Sequence, residues 1–149
     1  MKSLADIIYE AIHDSDDRVD DRLEDAKISV LKDSIGKFFP EIISKAMVIG
    51  TKPSGFCIVG SQTYTKNIAT NRAIGNDLEK LKKELQNSGD FEVTINKSFL
   101  QLNAEFKYLE ERVYCNLIFN FNTYKLTLNV LSNDNKELLN RINDIFHQK

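Results

Sequence analysis

Apolar residues recur every three or four positions through the first third of this chain and every second position through the last third, so helices lead and a sheet follows. Leu4, Ile7, Ile8, Ala11 and Ile12 predict a short first helix, capped by Ser3 and ending near His13. A longer helix is then expected from Asp14 or Ser15. It carries two apolar stripes, Val19, Leu23, Ala26 and Val30 on one and Ile28, Leu31, Ile35 and Phe38 on the other. Pro40 suits a first turn better than a helix interior, so a third helical piece should open there after a bend.

The stretch IGTKPSG, residues 49–55, is the clearest break in the chain and reads as a linker or turn. A strand follows in FCIVGSQTYT. Residues 67–87 return to helical spacing through Ile74, Leu78, Leu81 and Leu85, and Gly89 is placed to close that helix in the left-handed conformation. The period then becomes two. Phe91, Val93 and Ile95, then Leu102, Ala104, Phe106 and Tyr108, then Val113, Cys115, Leu117, Phe119 and Phe121, then Tyr124, Leu126, Leu128 and Val130 each alternate with polar neighbours. Short connections at Glu110 with Glu111 and at Asn122 with Thr123 predict antiparallel hairpins. Asp134 and Glu137 form a capping-box pair ahead of a last helix with Leu138, Leu139, Ile142, Ile145 and Phe146 on its apolar face. The expected fold is α+β: N-terminal helices over 1–47, then over 55–149 a strand, a bridging helix, a four- to five-stranded antiparallel meander, and a C-terminal helix packed on the sheet.

With 149 residues and 42% hydrophobic content, the chain suits one domain with a sizeable core. No apolar run approaches the roughly 20 residues that cross a bilayer, and acidic residues interrupt the start where a signal peptide needs an apolar core. A cytoplasmic location and no membrane partner are the resulting expectations. Cys57 and Cys115 lie far apart within apolar strands, which predicts buried free thiols. Residues 1–47 hold 11 acids against 7 bases, net −4, and residues 48–149 hold 11 against 13, net +2. Neither excess is large enough to favour nucleic acid or a charged membrane.

The densest chemistry is HDSDDRVDDRLED, residues 13–25, where Asp17, Asp20, Asp21 and Glu24 share one helix face. Its DDRVD matches the DDxxD pattern that holds magnesium in prenyl-diphosphate enzymes, but no second acidic motif accompanies it. An EF-hand counted from Asp14 would need glycine and glutamate where Val19 and Asp25 stand. The row reads as an acidic helix start, favoured by the helix dipole and offset by Arg18 and Arg22, with contact to a protein partner as its functional alternative. No metal and no cofactor are expected. GTKPSGFC has the glycine spacing of a phosphate loop, yet Phe56 and Cys57 occupy the lysine and hydroxyl positions. RVYCNLIF has the base and two rings of an RNA-binding strand at Arg112, Tyr114 and Phe119, but Val113 and Asn116 break the pattern. His13 and His147 sit at opposite ends of the chain, and no nucleophile motif accompanies them, so no catalytic residue is assigned.

The wet sheet face remains. Tyr114, Asn116, Ile118 and Asn120 should share it with Lys125, Thr127, Asn129 and Leu131. Neutral amides beside Tyr and Ile cost less to desolvate than charges, which suits recognition, whereas cover by the N-terminal helices is the plain alternative. The second helical stripe, Ile28, Leu31 and Ile35, is expected at a two-fold interface between copies. The functional expectation is a small intracellular, non-enzymatic protein-interaction module of inhibitor, immunity or chaperone type, acting as a homodimer on another protein. A small-ligand or nucleic-acid binder using the sheet face comes second, and a metal-dependent enzyme using the acidic row third.

Overall fold

In the computed structural model, residues 4–51 and 55–148 are described, with side chains from residue 21 onward. The elements are α1 (Leu4–Phe38), α2 (Pro40–Ser44), β1 (Met47–Thr51), β2 (Gly55–Thr63), α3 (Ile68–Ser88), β3 (Glu92–Asn96), β4 (Gln101–Tyr108), β5 (Glu111–Asn120), β6 (Lys125–Ser132) and α4 (Lys136–Phe146). The two N-terminal helices expected on either side of His13 are one helix. Nothing between Leu4 and Ile35 is glycine or proline, and a lone serine at position 15 is too weak a breaker to stop it. The helix ends at Phe39, where φ of −135° leaves helical space, and Pro40 opens α2 at its first turn.

The strands form one antiparallel sheet in the order β1-β2-β6-β5-β4-β3. Strands β3 to β6 make the expected meander, but the sheet has six strands, because Met47–Thr51, where the end of the helical part and the start of a linker were expected, folds back on β2. Beside β6, β2 completes the centre of the sheet, and α3 carries the chain across to the far edge. Turn positions also differ from the sequence reading. The β4–β5 hairpin turns at Leu109 and Glu110, one residue earlier than expected, with φ of 50° and 68°. Positive φ at both central residues matches the right-handed twist of the flanking strands. The β5–β6 loop has four residues rather than two, since Asn120 pairs with Lys125. Gly89 caps α3 at φ 82° as expected, whereas α4 is capped by Asn135, which accepts from the Leu138 amide, and not by Asp134.

One face of the sheet is dry. Leu102, Phe106, Tyr108, Val113, Cys115, Leu117, Leu126, Leu128 and Val130 are buried there together with Leu78, Leu81 and Leu85 of α3 and Leu139 and Ile142 of α4. At Gly60, α2 comes so close to β2 that an added Cβ would meet the Ile42 carbonyl. Ile28, Leu31 and Ile35, expected between two copies, are fully buried in this same core. The reason to expect a two-fold helix interface is therefore gone: that stripe is satisfied within the chain, while on the other Leu23 is 61% exposed and Val30 packs partly against the core.

Candidate protein-binding face

The strict alternation of β4, β5 and β6 sends every second side chain away from the helices, and the register aligns these residues in rows across the sheet. Asn129 stands opposite Asn116, Asn116 opposite Asn103, and Asn103 opposite Thr94. The same row continues through Val59 to Met47. One row along, Thr127, Ile118, Gln101 and Asn96 are aligned, and on the other side Leu131, Tyr114, Glu105 and Glu92. Among the described residues no helix crosses this face. Met47 is 57% exposed, Tyr114 43%, Leu131 39% and Ile118 38%, values that a packed helix would have reduced.

Charge is confined to the margins. Arg112 holds Glu105 at 2.5 Å and reaches Glu92 at 4.0 Å at one border, and the Glu105 charge raises the guanidinium pKa. Lys125 stands at the hairpin end of the face. The middle rows carry carboxamides, hydroxyls and apolar groups. The eight residues expected here, Tyr114, Asn116, Ile118, Asn120, Lys125, Thr127, Asn129 and Leu131, do share the face. Asn120 has a local task, since its Oδ1 accepts from the amides of Asn122 and Thr123 and so shapes the loop. Sequence reasoning missed Met47, Ile49 and Val59. Their period-two signal was present, but it was split by the glycine- and proline-bearing break between β1 and β2.

The acidic row is a different matter. Asp17 and Asp20 lie outside the described side chains. Asp21 is exposed and 4.0 Å from Arg141, and Glu24 pairs with Lys27 at 2.5 Å, whose Nζ also donates to the Lys107 carbonyl. One turn on, Asp25 takes a two-pronged ion pair from Arg141, Nε and Nη2 each at 3.1 Å, while the Tyr108 hydroxyl donates to Asp25 Oδ1 and accepts from Arg141 Nε. Burial alone would raise the Asp25 carboxyl pKa, but the hydrogen bonds from Arg141 and Tyr108, with the Arg141 charge, outweigh it and hold the group below its ordinary value. Burial first, then the hydrogen bond to Asp25 and its charge, push the Tyr108 hydroxyl upward against the opposing pull of Arg141. This cluster joins α1, β4 and α4. The described acids of the row are thus spent on the chain's own cations, and among the described residues no group of three or more His, Cys, Asp or Glu could hold a metal ion.

Cys57 and Cys115 are buried free thiols, both raised by desolvation, Cys115 up to about 12. Among the described residues no helix is long and apolar enough to cross a membrane. Comparison with known proteins finds no protein-family model, no curated protein and no solved structure that matches this chain.

Proposed function

We propose that this chain is a non-enzymatic protein-interaction module whose working surface is the open face of its sheet. The observation that supports the reading is the segregation of the helices: those in contact with the sheet pack on one side, leaving a neutral, partly apolar face uncovered among the described residues. Six strands spaced about 4.8 Å apart and rising about 3.3 Å per residue give that face on the order of 600 Å². A stable protein interface buries roughly 800 Å² per partner, so the face and its rim are of the right order. Its chemistry also fits. Interface centres are poor in charge and rich in aromatic residues and Met, with polar groups at the rim, and here Tyr114, Ile118, Met47 and Leu131 surround the Asn129, Asn116 and Asn103 row while Arg112, Glu105 and Lys125 stand outside it.

A photo-crosslinking residue at Asn116, in the middle of the face, tests this against one at Asp144, exposed on α4. In cells of the native host, Asn116 should give discrete protein adducts and Asp144 few. The adducts should vanish when Tyr114→Glu and Ile118→Glu are combined in a chain that remains folded. Equal labelling from both positions would remove the face from consideration, and adducts with nucleic acid would move the assignment to the second reading.

A further inference from the structure

We infer that one end of the sheet docks on an anionic bilayer surface: apolar side chains from three neighbouring turns enter the headgroup zone, and basic side chains around them meet the lipid anions. The registers bring those turns together. β2, β3 and β5 end where β4 and β6 begin, since Thr63 and Asn120 both pair with Lys125, Gln101 with Ile118, and Asn96 with Gln101. That end therefore holds the β3–β4 turn, the β5–β6 loop and, one short link after β2, the start of α3.

Each of the three exposes one large apolar side chain. Ile68 is 82% exposed, Phe99 61% and Phe121 41%. Among the described residues the other exposed large apolar groups are Leu23 on α1 and those of the open face, so these three are left without a partner in the surface already described. Their turns are held in shape. Asn96 Oδ1 accepts from the Phe99 amide, Asn120 Oδ1 accepts from the amides of Asn122 and Thr123, and the Thr70 hydroxyl donates to the Thr65 carbonyl. Leu100 and Tyr124 even take the disfavoured left-handed backbone, with φ of 52° and 56°, and both are buried while the rings of Phe99 and Phe121 stay outside.

Charge singles out the same end. The segments that build it, residues 63–73, 97–101 and 118–127, contain Lys66, Arg72, Lys97 and Lys125, all exposed, and no carboxylate. Carboxylates on the helices behind it, Glu41, Asp77 and Glu79, each have a lysine beside them, Lys45, Lys80 and Lys97. At the other end of the sheet Asp21, Glu24, Asp90 and Glu110 line a depression with Lys27. Summed over the chain these charges nearly cancel, to −2, which is why composition spoke against a charged membrane. An anionic surface attracts the first end and repels the second, and so fixes the orientation.

A bilayer fits this pattern better than another macromolecule does. A folded protein needs a continuous complementary surface, whereas headgroups part around separate tips. A nucleic acid would meet the cations but leave Ile68 in water, since an aliphatic side chain offers no plane for stacking. Contact confined to the tip also leaves the open face clear for a protein partner.

The chain has no tryptophan, so a single introduced one reports its own surroundings. On vesicles of phosphatidylcholine and phosphatidylserine in equal parts, Phe99→Trp and Phe121→Trp should shift to the blue and be quenched by brominated lipid. Tyr114→Trp on the open face should do neither. In vesicle sedimentation, Lys66→Gln combined with Lys125→Gln should weaken binding about fivefold for each charge removed. Ile68→Ser combined with Phe99→Ser should weaken it roughly tenfold or more, each pair being checked for native circular dichroism. Absence of binding, equal binding to phosphatidylcholine alone, loss in only one of the two pairs, or an equal response of Tyr114→Trp overturns the proposal. So does tighter binding to a single-stranded oligonucleotide than to the mixed vesicles. The open-face reading stands or falls separately, on the protein adducts at Asn116.

Discussion

Asp25, Tyr108 and Arg141 show how a few side chains set the pH limits of the fold. The Asp25 carboxyl has its pKa depressed in the folded chain, so its contribution is present above the unfolded value of 3.8 and is lost as pH falls below it. Tyr108 and Tyr64 are raised in the folded chain, chiefly by burial, so their neutral forms support the fold below about pH 10, and that support is lost as pH rises further. Urea midpoints should therefore fall on the acid side below about pH 4 and on the alkaline side from about pH 9, where the thiols of Cys57 and Cys115 ionise first in the unfolded chain and the tyrosines follow. In Asp25→Asn the acid-side fall should shrink. At neutral pH the same substitution should cost about 1 kcal/mol, less than a buried charged hydrogen bond because the carboxylate is over a third exposed. Cys57 and Cys115 give a separate check: both should resist a disulfide reagent in the native state and react fully after denaturation, since burial blocks access and disfavours the thiolate.

At the level of elements, close approaches and turns decide what the chain tolerates. Gly60→Ala should lower stability by roughly 1 to 3 kcal/mol in denaturant titration, because the added methyl meets the backbone of α2 rather than a side chain that could swing away. Glu110→Gly should act in the opposite direction. A left-handed non-glycine residue costs roughly 1–2 kcal/mol and the extra freedom of glycine when unfolded about 0.5–1, so a net gain up to about 1 kcal/mol is expected. These positions also show what could be read from the sequence. The alternation in Leu102–Tyr108, Val113–Phe119 and Leu126–Val130 is long enough to specify both strands and faces, so the meander and eight of the open-face residues were legible. β1 was not, because its five residues straddle the end of a stretch read as helical and the start of the Gly-Pro break, too short a run to show a period of its own. The pairing of β2 with β6 was not legible either. Local periodicity fixes which way a side chain points and says nothing of which distant strand lies alongside.

For the molecule as a whole, the burial of Ile28, Leu31 and Ile35 changes what a mutation there would mean. Leu31→Glu, which would dissociate a helix-mediated dimer into folded monomers, should instead abolish cooperative unfolding, since an ionised carboxylate at a fully buried site costs several kcal/mol against a total stability of about 5–15. Circular dichroism with sedimentation velocity separates the two outcomes. The place of β2 has a further consequence for how the protein is made. Its neighbour on the central side, β6, is synthesised more than sixty residues later, after α3 and the whole of β3 to β5. The growing chain therefore leaves the ribosome with its β1–β2 hairpin bordered on neither side, and the sheet closes only when the last strand arrives. Because distant pairing is slow to find, the interval between synthesis of residue 63 and residue 132 is when this chain stands most in need of a holding chaperone.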